Sequence, residues 1–187
     1  MRARRVVMVL MDVDGVLTDG RITFYGARGE AKSFNVRDGA GVRLAREAGL
    51  RTGVISGRGG AATLRRAEEL KMDEIHLRVK DKLARYETIK KRTGLNDAQV
   101  CFIGDDVLDL PILARAGMPV AVADAHSEVL LRVRFVTRAR GGRGAVREVI
   151  DTILMAQGRW SHLMRRIAGE ASPQGSGRTR HTGRSRR

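Results

Sequence analysis

A chain of 187 residues with 42% hydrophobic content is long enough to bury one core, and with only 4% aromatics that core must be filled by aliphatic side chains. The formal charge of +15 is uneven, since residues 159–187 carry eight Arg and no Lys against the single acid Glu170. One cysteine, Cys101, excludes an intramolecular disulfide or a thiolate metal cluster, and no stretch approaches the roughly 20 apolar residues that cross a bilayer.

In chain order, residues 5–11 form a short apolar, β-branched run, as expected of a strand buried on both faces. This run meets acidic residues at once and lacks a cleavage site, so it does not read as a signal peptide, and a cytoplasmic protein is expected. Residues 21–25 and 30–36 flank GARG in the pattern of a β-hairpin. Helical spacing follows over 38–48, with Gly49 as its stop. Strands are expected at 51–56, 74–77, 99–104, 119–123 and 134–137. They alternate with helices at 61–71, 81–92, 109–116, 126–132 and 145–158. Such alternation predicts an α/β fold, a Rossmann-like parallel sheet with helices on both faces and a hairpin inserted after the first strand. Residues 1–158 would form this core. The Gly-, Ser- and Arg-rich segment 159–187 shows no apolar periodicity and is expected to be a disordered basic tail, with nucleic-acid contact through phosphates as an accessory role.

Ligands of parallel sheets collect beyond the carboxyl ends of the strands. Asp12 and Asp14 follow the first strand, Ser56 ends the second, Lys82 lies past the third, and Asp105 and Asp106 follow the fourth. This set suits phosphoryl transfer. Carboxylates select a hard cation such as Mg²⁺, one carboxylate attacks phosphorus, and a second moves the proton. An anion attacking an anion needs positive charge from the metal, Lys82 and backbone N–H groups near Gly15. Each element alone is weak, because a lone DxD often merely caps a turn. Their joint order after successive strands carries the reading.

The stretches DVDGVLTDG (12–20), Ser56 in VISGR, Lys82 in KDKL and GDDVLD (104–109) resemble the signatures of the haloacid dehalogenase superfamily. FNVRDGAGVRLA (34–45), VAVADAH (120–126), GGRGAVREV (141–149) and AQG (156–158) are similar to those of its 3-deoxy-D-manno-octulosonate (KDO) 8-phosphate phosphatases. The resemblance runs from about residue 6 to 160. It implies Asp12 as nucleophile, Asp14 as general acid and base, and Ser56 and Lys82 as phosphate ligands. Mg²⁺ would be held by Asp12, the backbone carbonyl of Asp14 and Asp105, with Asp106 and Asp109 supporting the metal shell.

The resemblance further implies a role in lipopolysaccharide biosynthesis, no large cap domain, and a homotetramer in which neighbouring subunits close each site. Arg37, Arg58 and Arg143 are candidate substrate contacts. GGRG reads equally as a flexible connection, and Asp38 equally as the cap of the helix it begins. Arg78 stands where the family pattern has glycine. The alternatives are a phosphatase for another sugar phosphate, such as a nine-carbon ulosonate 9-phosphate, and a non-catalytic oligomerisation domain of a sugar-activation system.

Overall fold

The computed structural model describes residues 2–25 and 29–170. Six parallel strands form one sheet in the order β5-β4-β1-β6-β7-β8. They are β1 (Met8–Met11), β4 (Arg51–Ile55), β5 (Glu74–His76), β6 (Val100–Gly104), β7 (Met118–Ala121) and β8 (Phe135–Val136). β1 and β6 are buried at every position, as continuous apolar runs in a doubly covered parallel sheet must be. The chain leaves β1 for β4 on one side and later crosses to β6 on the other, so the sheet opens a crevice at the end of β1. Met11 is in register with both Val54 and Ile103, which brings Asp12, Ser56 and Asp105 to one edge.

Between β1 and β4 the described elements are the antiparallel pair β2 (Thr23–Phe24) and β3 (Glu30–Ala31), then helix α1 (Val36–Glu47). The expected hairpin is therefore present but short, and residues 26–28 of its turn lie outside the described residues. Helices α2 (Ala61–Glu69), α3 (Lys82–Thr93), α4 (Leu110–Leu113), α5 (Ser127–Leu130) and α6 (Ala145–Ala156) follow the strands.

Three expectations are corrected. The first strand begins at Met8 rather than residue 5, because Arg2–Arg5 form a 3₁₀ turn that keeps Arg2, Arg4 and Arg5 exposed at the end of the sheet. The helix expected over 109–116 divides into a 3₁₀ turn, Val107–Asp109, and the short α4. The tail expected from residue 159 begins with helix α7, Trp160–Ile167. Trp160, Leu163, Met164 and Ile167 recur at i, i+3, i+4 and i+7, an apolar stripe that the arginine count obscured. Leu163 is buried, the Arg147 guanidinium lies 6.0 Å from the Trp160 ring centre, and Arg159 donates to the Ala48 carbonyl at 2.8 Å. The expected disorder and nucleic-acid contact of the remaining tail fall on residues 171–187, outside the described residues. No described helix is long and apolar enough to cross a membrane.

The stretches that mark the family interlock. Helix α6 has no capping side chain of its own at Gly144; instead Asp38, from α1, accepts from the backbone N–H groups of Gly144 (3.1 Å) and Arg147 (2.9 Å). Asp38 is thus a cap, but of α6 rather than of the helix it begins. Asp124 accepts from Gly141 N–H at 2.9 Å, and Asn35 Nδ2 donates to the Gly142 carbonyl at 3.3 Å. Gly142 N–H in turn donates to the Val16 carbonyl at 2.9 Å. A Cβ on Gly141 would fall 1.7 Å from the Gly15 carbonyl oxygen, so only glycine permits this approach. GGRG is therefore a close-packed brace against the loop after β1, not a flexible connection.

Asp38→Ala is expected to lower stability by about 1–3 kcal/mol, because it strands two N–H groups at a helix start where Asp38 is 1% exposed. Urea denaturation would show a lower midpoint at an unchanged m-value; an unshifted midpoint would refute the capping role.

Candidate active site

The site is built from four loops at the carboxyl edge. Asp12 directly follows β1, its N–H donating to the Ile103 carbonyl of β6 at 3.0 Å and its Oδ1 accepting from Val13 N–H at 2.7 Å. Lys82, the first residue of α3, is placed by Asp81, whose side chain caps the helix by accepting from Ala84 N–H at 2.9 Å. Its ammonium lies 2.9 Å from Asp12 Oδ2 and 2.7 Å from Asp109 Oδ1. Asp109 Oδ2 accepts from the Asp105 N–H at 3.1 Å. One buried carboxylate thus fixes both the lysine and the backbone of Asp105.

Asp12, Asp105 and Asp109 each bring an oxygen within 4.8 Å of the others. The hydrogen bonding sorts this trio. Both oxygens of Asp109 are engaged, whereas Asp105 Oδ1 is buried without a hydrogen-bond partner. Asp12 and Asp105 are therefore the carboxylates placed to hold a divalent cation, with Asp109 supporting them. The loop approaches closely enough because Gly15 lacks a side chain: a Cβ there would sit 2.0 Å from Asp105 Oδ2. An all-oxygen set with an orphaned buried carboxylate oxygen fits Mg²⁺. Asp106, expected to support the metal shell, is exposed and caps the 3₁₀ turn by accepting from Leu108 N–H at 3.3 Å.

Burial and mutual repulsion among the crowded carboxylates favour their protonated forms. Burial, then Asp109, raise the Asp12 pKa to about 6 against the opposing pull of Lys82. Burial, then Asp12, Asp109 and Asp106, raise that of Asp105 to about 8. Burial acts to lower the Lys82 pKa, but the two carboxylates beside it outweigh that and shift it upward.

Comparison with known proteins agrees with this geometry. Residues 72–150 match the family model of haloacid dehalogenase-like hydrolases. The chain is 42% identical over 156 residues, 83% of each sequence, to the 3-deoxy-D-manno-octulosonate 8-phosphate phosphatase KdsC of Yersinia pestis. It belongs to the KDO 8-phosphate phosphatase family of the haloacid dehalogenase superfamily. The structure of the Moraxella catarrhalis phosphatase in complex with magnesium, phosphate and KDO is similar at TM-score 0.86 and 33% identity, covering 89% of this chain and 95% of that one. The cobalt-bound Haemophilus influenzae phosphatase is similar at TM-score 0.81 and 41% identity, covering 84% and 92%.

Of the residues that the family pattern singled out, Asp12, Lys82, Asp105 and Asp109 meet directly. Ser56 is buried at the end of β4, where its Oγ accepts from Arg58 N–H at 3.2 Å. Asp14 lies outside the trio and meets two other cations: Lys32 Nζ is 2.6 Å from Oδ1 and Arg58 Nε is 3.9 Å from Oδ2. Arg58 is thus at the site. Arg143 is exposed on the rim, 3.7 Å from Asp19, and Arg37 is exposed on the first turn of α1 without a side-chain partner among the described residues. Arg78 takes φ +57°, the left-handed backbone that the family's glycine suits, and its side chain lies over Gly59.

Sequence reading missed Lys32. The signal was period-two alternation, which places Glu30 and Lys32 on one face of the hairpin strand.

The raised carboxylate pKa values set a sign for stability. Groups titrating higher in the folded chain than in the unfolded one stabilise it fully at low pH, and this contribution is lost as pH rises from about 4 through about 6 and about 8. In chelator, the melting temperature of the native chain relative to its Asp105→Asn variant is expected to fall across that window. Adding Mg²⁺ should restore it, most strongly at the alkaline end. A difference that rises with pH in chelator would contradict the cluster.

Proposed function

We propose that this protein is a Mg²⁺-dependent phosphatase that hydrolyses KDO 8-phosphate to KDO and inorganic phosphate. The observation that carries the reading is the buried Asp12, held by Lys82 beside Asp105 and Asp109. The substrate follows from the named activity of relatives matched over most of their length.

Asp12 attacks phosphorus, forming an aspartyl-phosphate as the bond to the sugar oxygen breaks. Its pKa of about 6 leaves it mostly ionised at neutral pH. Asp14 delivers a proton to the departing alkoxide, then takes one from the water that attacks the aspartyl-phosphate and releases phosphate. Lys82 balances charge on the transferring group, and Ser56 with the backbone N–H groups near Gly15 orients its oxygens. Mg²⁺, held by Asp12, Asp105 and the Asp14 carbonyl, supplies further positive charge when bound.

Among the described residues only the short hairpin and α1 intervene between β1 and β4, so no large cap covers the site there. Phe24 and Tyr25 on the hairpin are 71% and 68% exposed, and Leu108 beside the metal loop is 72% exposed. Apolar side chains left open around a site that must exclude water support the homotetramer, with neighbouring subunits closing it. The rim residues Arg37 and Arg143 remain candidate contacts for a sugar carboxylate in that assembly. A cytoplasmic role in making the KDO of lipopolysaccharide follows from this substrate. A nine-carbon ulosonate 9-phosphate is the second candidate, because the catalytic cluster itself does not read the sugar.

Asp12→Asn is expected to reduce phosphate release by at least about a thousandfold while Mg²⁺ and substrate still bind; near-native turnover would rule out Asp12 as nucleophile, and an inert native chain would favour the non-catalytic reading. Release measured across a sugar-phosphate panel should show the highest kcat/KM for KDO 8-phosphate. Preference for a non-ulosonate ester would reject the substrate.

A further inference from the structure

Lys32 is an unusual lysine. Its side chain is 1% exposed, although it sits at the root of a surface hairpin. Burying an ammonium is costly unless carboxylates offset it, and buried ion pairs are weak devices for stability. Here two carboxylates face it: Asp14 Oδ1 at 2.6 Å and Glu30 Oε1 at 3.5 Å. Arg58 closes the ring, 2.7 Å from Glu30 Oε2 and 3.9 Å from Asp14 Oδ2. Glu30 is itself seated against α2, where a Cβ on Gly60 would lie 2.8 Å from its Oε1. Among the described residues Lys32 makes no ion pair with Asp12, Asp105 or Asp109, so its reach is confined to Asp14.

Asp14 has little else to orient it. Both of its oxygens are buried, and neither makes a hydrogen bond of good angle among the described residues. A carboxylate that must deliver a proton to one departing oxygen gains from being held, and a misplacement of about 1 Å can cost about a hundredfold in rate.

We propose that Lys32 is a positioning residue: with Glu30 and Arg58 behind it, it holds the Asp14 carboxyl group toward the leaving-group oxygen. The hairpin root is thereby part of the catalytic machinery of its own chain, in addition to any surface it offers a neighbour. This rests on the reading of Asp14 as proton donor, and the test separates the two.

The test is single-turnover phosphoryl transfer with Mg²⁺ present, comparing KDO 8-phosphate with p-nitrophenyl phosphate. The alkoxide of the first must be protonated as it leaves; the nitrophenolate of the second need not be. Lys32→Met, which keeps the side-chain bulk, is expected to slow release of KDO by about 10- to 100-fold, with KM within about twofold, and release of nitrophenolate by less than about threefold. Lys32→Arg should recover part of the loss. Lys32→Gln serves in place of the methionine variant if that variant melts far below the native chain. Equal losses on both esters, or a raised KM at unchanged rate, would overturn the assignment. Asp14→Asn is run alongside: if it spares KDO release, the proton-donor reading fails. If it shows the leaving-group split and Lys32→Met does not, only the role of Lys32 fails.

Discussion

Everything at this site depends on keeping several carboxylates together at the dry end of a sheet. Asp12, Asp105 and Asp109 would repel one another in an environment that screens poorly, and burial has already driven two of them toward protonation. Lys82 is the built-in counterion. It touches Asp12 and Asp109 at once, so the nucleophile keeps its negative charge and a fixed orientation. What it does not neutralise is Asp105, whose unpartnered oxygen is the part of the cluster that a divalent cation completes. The residual imbalance is the basis of metal affinity, because a cluster fully satisfied by protein cations would have no use for a metal.

A second set of charges surrounds Asp14. Asp14 belongs to a ring of alternating sign with Lys32, Glu30 and Arg58, drawn from the loop after β1, the hairpin and the loop after β4. The two neighbouring aspartates of DVDG are therefore served by separate cations. The carboxylate of one is held as an anion beside Asp105, where a metal would sit, and the carboxylate of the other is held by Lys32 and Arg58. This separation of environments is how two identical carboxyl groups, two residues apart, come to do different chemistry.

Most of the fold was legible because the strands are short, apolar and regularly spaced, and the residues that act sit where a parallel sheet delivers them. Lys82, Ser56 and Asp105 could be placed at the edge from the strand order alone. The hydrogen bonds that distinguish Asp109 from Asp106 could not, since both follow β6 and only backbone geometry decides which one turns inward. Lys32 was hidden for a different reason: a lysine in a surface hairpin is ordinarily solvated, and here Asp14 meets it from a separate segment, beside Glu30 of its own segment. Helix α7 was obscured by composition, as its arginines outweighed a clear apolar stripe. Within the stretches that marked the subfamily, Arg37 and Arg143 were read as substrate contacts and GGRG as a possible flexible connection, yet Asn35, Asp38 and Asp124 chiefly hold the backbone of residues 141–147.

That brace has a consequence for the order in which the chain becomes competent. The loop carrying the nucleophile is made before the glycines that press against it, which come more than a hundred residues later. Contacts of such long separation form late, after the intervening loop has been closed. A nascent chain can thus pair its first strands and display every catalytic side chain while the loop after β1 still lacks its support. The support of that loop is therefore completed only when Gly141 and Gly142 have docked, late in the chain's folding.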